Sequence, residues 1–480
     1  MGWIAPAFLY YGIFRCASIR EGARLGGLFG FSFCFVSLSW IYHTCRFAGV
    51  PVAVSLLAMT CLAALLAVSW ALYGAAARFL AQRYSPAALP WLWAAAWTAV
   101  ESAGAHWTPR VGVDLLAYTQ YKFLPLIQIG ALLGPHALGF LIALWGGAVA
   151  LLYAQRAKGC GKLNVAAAGL LIALCTAYGE VVLAGRISDG SDRGSMSVSV
   201  LQPNIDQYQK WNDLYEDSIR RGFNRMLASV PENTGLVLWP ESSLPGWLEE
   251  PQNAAWVASL ADRIRSPMIV GTVFRRGDKH HNAAVLVDET GTIRQAYQKR
   301  RLVPFGEFVP LRSLFSGWIG ILGQMGDFDP GELDQDLMIV GGVRIAANIC
   351  YEAVFPHLLR RDSARGARVF VNLTNDGWYK DTAGPYQHFY TNMFRAVENR
   401  VTVVRAANTG ISGVIDPYGV VIRSERTALG EEVRLDVRPF FKEDPFPRGS
   451  FFSRTGDLFG YGMMLVSVFF FWCARKRGAV

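Results

Sequence analysis

At 480 residues, with 52% apolar side chains and a positive mean hydropathy, the chain is too long for one small domain and too apolar for an ordinary soluble enzyme. Its formal net charge of +9 is not spread evenly: residues 1–186 carry twelve Lys/Arg against four Asp/Glu, residues 187–474 carry 31 against 33, and Arg475, Lys476 and Arg477 lie in the tail. A near-neutral middle excludes a phosphate-tracking surface and hence a nucleic-acid partner, whereas Lys and Arg in short loops between apolar runs set the orientation of membrane spans.

In chain order, apolar runs of roughly 20 residues, long enough for about 30 Å of hydrocarbon, predict spans at 24–42, 51–74, 87–105, 136–154 and 164–184, with a last one at 457–474. A shorter run, 2–14, reads either as a further span or as an interfacial anchor. Every second loop is basic, beginning with Arg15, Arg20 and Arg24, then Arg78 and Arg83, then Arg156, Lys158 and Lys162. With those loops cytoplasmic, the 187–456 segment lies outside and the Arg-Lys-Arg tail returns to the cytoplasm. The same alternation puts Met1 outside with no signal-peptide pattern ahead of it, so an absent or upstream-encoded first span is expected.

The polar stretch 188–195 leads into a different kind of sequence, with short β-rich runs at 196–202, 235–239, 268–274, 283–288, 292–298, 338–349, 369–373, 401–406 and 414–422. Helical stretches at 213–230, 254–265 and around 386–398 alternate with them, which argues for an α/β layered domain. Turns at 288–291 and at Asp416-Pro417-Tyr418-Gly419 predict hairpins. Seven of the eight cysteines lie in the apolar regions or their loops, so Cys350 has no disulfide partner in the middle domain and is either a buried apolar residue or a chemical group.

Three segments place a reactive side chain just past an apolar strand, where layered α/β domains gather ligands: Leu238-Trp239-Pro240-Glu241, Tyr297-Gln298-Lys299 followed by Pro304-Phe305-Gly306-Glu307, and Asn348-Ile349-Cys350-Tyr351-Glu352. Singly, Glu241 reads equally as a helix N-terminal charge, Lys299 as a solvated strand end and Cys350 as core. Together they resemble the Glu-Lys-Cys set of the nitrilase superfamily. With the spans, and with Leu201-Gln202-Pro203-Asn204-Ile205, Trp211, Asn375-Asp376-Gly377-Trp378, the 384–389 and 395–399 segments, Asn408-Thr409-Gly410 and Arg454-Thr455-Gly456-Asp457, most of the chain is similar to the apolipoprotein N-acyltransferase family. Tyr379-Lys380 departs from the Phe-Gly expected after Trp378, which bears on substrate fit.

The resemblance implies a polytopic α-helical membrane domain (1–186), an α/β nitrilase-like αββα sandwich on the periplasmic side (187–456), and a C-terminal span with a basic tail (457–480), in the bacterial inner membrane. It implies transfer of an acyl chain from a phospholipid to the α-amine of a diacylglyceryl-cysteine on an apolipoprotein, by ping-pong chemistry through a Cys350 thioester. A thiol with an ordinary pKa near 8.5 needs a base or cation beside it. Glu241 is the expected base, with burial or a second carboxylate, Glu307 or Glu352, to make it one, and Lys299 is the expected oxyanion donor. Tyr351 joins Glu307 and Glu352 as a supporting residue, and Trp211, Trp378, Phe305 and Gly306 are expected at the substrate.

The apolar, glycine-punctuated run 314–323 is expected to be a lid or ordinary core. His281 and His388 have no second ligand at metal spacing, and no nucleotide-binding loop follows a strand, so neither metal nor cofactor is expected. Two rivals stay open: a membrane-tethered amidase using the same three residues, and a transporter or sensor in which Cys350 is core.

Overall fold

The computed structural model describes residues 2–107, 112–155, 159–188, 193–210, 212–308, 328–442 and 449–476. It divides into two compact units, Met1–Asp189 with Ser450–Val480, and Gly190–Gly449.

The first unit is helical. Val52–Ala81, Pro135–Ala154, Gly159–Arg186 and Leu458–Lys476 are long and apolar enough to cross a membrane, and Ile19–Ser37 with Trp40–Phe47 makes a fifth such element bent by 48°. The 24–42 run is therefore not one straight span. At the break, Ser39 and Ile41 donate to the carbonyls of Val36 and Leu38, three residues back, which tightens the helix into a corner. Gly22, Gly26 and Gly30 are buried on one face of Ile19–Ser37, and a Cβ on Gly26 would lie 2.9 Å from the Gly74 Cα of Val52–Ala81. This spacing of small residues lets the two backbones approach closely.

The 87–105 run forms the helix Leu89–Trp107. The 2–14 run forms Ala5–Arg15, whose 11 residues reach only about half the hydrocarbon thickness. It is packed rather than peripheral: Tyr10 is fully buried, stacks on Trp93 at 5.0 Å and shares a 2.8 Å hydroxyl hydrogen bond with Tyr73.

The second unit holds a two-stranded sheet of Arg193–Ser195 and Phe440–Lys442 and is built on a pair of six-stranded sheets. One runs in the order Val433–Val437, Val198–Gln202, Leu236–Leu238, Met268–Arg276, Lys279–Val287, Ile293–Gln298, and the other Val421–Glu425, Ser412–Ile415, Thr402–Ala407, Val369–Thr374, Val343–Ile349, Met338–Val340. Their facing sides share one core, in which Val200, Leu238 and Ile269 meet Ile345, Val371 and Val404. Outside the first sheet, Ile219, Phe223 and Leu260 of the helices Glu216–Ala228 and Pro251–Ile264 pack on Val237 and Val270. Pro356–Ala364 and Gly384–Asn399 pack together and contact the second sheet, which completes an αββα sandwich.

Two features depart from the sequence reading. The 338–349 run is a hairpin, because Gly341 (φ +54°) and Gly342 (φ +78°) turn the chain between two antiparallel strands. The strands Arg193–Ser195, Val433–Val437 and Phe440–Lys442 and the helix Pro356–Ala364 are not among the expected elements, because none of them carries a continuous apolar run of four or more residues.

Each sheet has parallel strands at its centre, and the ends of these strands position the site. Leu236–Leu238 lies between two parallel neighbours and delivers Glu241, while Val343–Ile349, parallel to Val369–Thr374, delivers Cys350.

Candidate active site

Glu241 follows a turn anchored on the neighbouring strand: Trp239 N–H donates to Ile269 O at 3.0 Å, and Ser243 N–H to Gly271 O at 2.6 Å. Gly271 lies directly behind this turn, where a Cβ would sit 2.8 Å from the Glu241 Cα. Gly271→Ala must push Glu241 out of place. Overpacking of this kind costs about 1–3 kcal/mol. A displacement near 1 Å is expected to lower turnover by about tenfold or more, to be checked by thermal unfolding beside a rate assay.

Lys299 follows the edge strand Ile293–Gln298 and is fully buried. Its Nζ donates to Glu307 Oε1 at 2.9 Å and to Glu241 Oε1 at 3.2 Å. Both carboxylate oxygens also accept from Asn282 Nδ2, each at 2.7 Å. One ammonium and one amide thus hold two buried carboxylates together. Burial alone pulls the Lys299 ammonium down, but Glu241 and then Glu307 outweigh it and hold its pKa above that of an ordinary lysine.

Glu307 is turned inward by its own loop, with Oε2 accepting from Val303 N–H at 2.9 Å. In the same turn Phe305 takes φ +59° and is exposed, as is Gly306.

Cys350 ends its strand in the left-handed region, at φ +52°, before the short 3₁₀ turn Cys350–Val354. A non-glycine residue there costs of order 1–3 kcal/mol of strain and is held only by its surroundings. Glu352 supplies much of that hold. It is fully buried, and its Oε2 accepts from Ile349 N–H and Tyr297 Oη–H, each at 2.7 Å, while Oε1 accepts from Arg300 N–H at 2.6 Å.

Glu352 therefore fastens the Cys350 turn to the Lys299 strand end and does not share the ammonium with Glu241. Of the two candidates for a second carboxylate beside Glu241, Glu307 takes that place. Burial raises the Glu352 pKa, against the pull of Arg300, whose guanidinium grips Asp362 at 2.7 and 3.1 Å. Tyr351 is half-buried, with its ring perpendicular to Phe355 at 5.0 Å.

The thiol feels this charge set. Burial first and Glu241 second push Cys350 up to about 12, while Lys299 pulls it down. At neutral pH the resting group is therefore a thiol.

Two close neighbours were not apparent in the sequence. Lys210 is buried and donates from Nζ to the Glu241 carbonyl at 2.7 Å, and burial lowers its ammonium to about 7 against the pull of Glu241 and Cys350. Asn282 lies where the expected strand had not yet begun. Its only sequence signal is a polar residue just ahead of the apolar run 283–287.

Trp378 lies in the 3₁₀ turn Asp376–Tyr379 and is exposed. Trp211 and the run 314–323 lie outside the described residues. His281 Nδ1 is 2.8 Å from Asp329 O, and His388 bridges Asp376 and the Cys350 carbonyl. Among the described residues no three His, Cys, Asp or Glu side chains converge as a metal site. The arrangement suits covalent acyl chemistry, with a thiol, a carboxylate base, and an ammonium able to meet developing negative charge.

Two families match the chain, carbon-nitrogen hydrolase over residues 197–434 and the N-terminal domain of apolipoprotein N-acyltransferase over residues 1–148. The apolipoprotein N-acyltransferase of Geobacter metallireducens is 32% identical, over 96% of this chain and 88% of that protein. That of Azotobacter vinelandii is 30% identical, over 99% and 90%. Among solved structures, a CN-hydrolase superfamily protein from Xanthomonas campestris aligns over 57% of this chain and 97% of its own, at 18% identity and a TM-score of 0.41.

Proposed function

The chain belongs to the apolipoprotein N-acyltransferase family, and from that premise we propose that it moves an acyl chain from a membrane phospholipid to the α-amine of a diacylglyceryl-cysteine, through a thioester on Cys350. The observation that carries this reading is the coincidence of the two family matches with the two structural units, one helical and apolar, the other holding Glu241, Lys299 and Cys350. A tethered amidase has no use for so many helices able to span a membrane.

In the first half-reaction Glu241 takes the thiol proton as Cys350 attacks the ester carbonyl, and Lys299 with a backbone N–H beside Cys350 meets the oxyanion. Collapse expels the lysophospholipid alkoxide, which recovers the proton from Glu241, and leaves the thioester. In the second half the acceptor amine attacks the thioester carbonyl, Glu241 takes a proton from the amine, and the departing sulfur regains it as the amide forms. Glu307 keeps Lys299 in place between the two carboxylates. Phe305, Gly306, Trp378 and Trp211 are the residues proposed to contact the acyl donor.

The basic loops support an inner-membrane orientation with residues 187–456 on the periplasmic side and the 457–480 segment returning to the cytoplasm.

The deciding assay mixes the purified protein with a phospholipid labelled in one acyl chain and a diacylglyceryl-cysteine peptide. Label on the peptide α-amine, with lysophospholipid released in equal amount, is the expected outcome. Free labelled fatty acid with an unmodified peptide would instead make the protein a hydrolase.

A further inference from the structure

The backbone carbonyl of Cys350 is held from behind by two side chains. His388 Nε2 lies 2.9 Å from it and Asn372 Nδ2 donates to it at 3.3 Å. A carbonyl oxygen only accepts, so Nε2 carries the hydrogen. The other ring nitrogen, Nδ1, lies 2.9 Å from Asp376 Oδ1.

Both arms start from one buried cation. Arg405 donates from Nη2 to Asp376 Oδ2 at 2.7 Å, from Nη1 to Asn372 Oδ1 at 2.6 Å, and from Nε to the Ile411 carbonyl at 3.0 Å. Arg405, Asp376, Asn372 and His388 are each almost completely shielded from solvent. Although burial opposes it, Arg405 and His388 hold the Asp376 carboxyl below its ordinary pKa, so Arg405 donates to a carboxylate.

A peptide group is planar and trans, so the direction of the Cys350 carbonyl fixes that of the Tyr351 N–H, which must point the opposite way. Cys350 is itself in a strained conformation, at φ +52°, and would relax if its carbonyl were released. A hydrogen bond to the carbonyl also draws electron density along the amide and strengthens the N–H as a donor.

We infer that His388, with Asp376 behind it, is a positioning residue for acylation that aims the Tyr351 N–H at the oxyanion by clamping the Cys350 carbonyl. The inference rests on the thioester reading above and adds a residue that touches neither thiol nor base. His388 acts on the charge that develops in the transition state, not on formation of the nucleophile.

The test compares two reactions of the same thiol in the full-length protein. Acylation by phospholipid builds an oxyanion, whereas alkylation by iodoacetamide does not. His388→Leu is expected to slow single-turnover acylation by about 100-fold, the scale of losing one oxyanion donor, while alkylation of Cys350 stays within about threefold. His388→Gln, which returns a neutral donor to the carbonyl, is expected to recover acylation to within about tenfold of the parent.

Parallel loss of both reactions in His388→Leu would overturn the inference, because it would place the residue in making the thiolate or in folding. Acylation unchanged within about threefold would overturn it too, since an oxyanion donor is worth far more than that. Failure of the thioester reading itself would look different, as the parent protein would then take up no acyl group at all.

Discussion

Cys350→Ser is expected to form no hydroxylamine-labile acyl adduct and to lose turnover by at least about 10⁴-fold, the scale seen when a catalytic nucleophile is removed. The reason lies in the balance of charge around the thiol. Burial and Glu241 already hold Cys350 up to about 12, so in the proposed mechanism the proton leaves as the carbon–sulfur bond forms. A hydroxyl is a weaker acid than a thiol and faces the same burial and the same neighbouring carboxylate. Glu241 cannot ionise it to a useful extent.

Because the two side chains are close in size, the thermal midpoint of Cys350→Ser should lie within a few degrees of the parent. Loss of turnover then reads on chemistry and not on folding. The measurement is intact mass after incubation with phospholipid and no acceptor: an acyl-sized increase in the parent that hydroxylamine removes, and none in Cys350→Ser. Turnover preserved within about tenfold would make Cys350 a core residue and favour a ligand-binding role for the unit.

The three reactive segments were legible because each puts one polar side chain directly after a continuous apolar strand, and strand ends in layered α/β domains are where such groups converge. What stayed hidden depended on long-range partners. Glu352 reads as a second carboxylate near the thiol, yet its oxygens are taken by Tyr297, Ile349 and Arg300. Asn282 and Lys210 look like ordinary strand-start and turn residues until folding brings one to Glu241 Oε1 and the other to the Glu241 carbonyl.

In the helical unit, composition gave the apolar lengths but could not locate the corner before Trp40, which arises from tightened backbone bonding and not from a proline or glycine at that point. The 338–349 run misled in the other direction. Its apolar flanks masked the turn that Gly341 and Gly342 force.

Lys299 should also prove costly to remove, and for a reason that reaches beyond catalysis. Lys299→Met leaves Glu241 and Glu307 buried with only Asn282 Nδ2 between their facing oxygens. Breaking a buried ion pair from one side costs about 3–5 kcal/mol, because the partner charge is stranded. The variant therefore loses the proposed oxyanion donor and the ammonium that holds Glu241 in place, and acylation should fall by about 10³-fold or more.

The sign of the pH dependence follows from the raised folded-state pKa of Lys299. A cation held above its unfolded value contributes its full stabilisation below the unfolded lysine pKa, near 10.4, and loses it only as pH rises through the higher folded value. The gap in thermal midpoint between the parent and Lys299→Met should therefore persist from about pH 6 to about pH 10 and narrow only above that. Lys299→Arg separates the two roles. It keeps the charge and should regain much of the stability, while its planar, longer head group cannot reproduce the point contact of Nζ with both carboxylates and leaves acylation impaired. Equal recovery of both properties in Lys299→Arg would reduce Lys299 to a structural counter-ion.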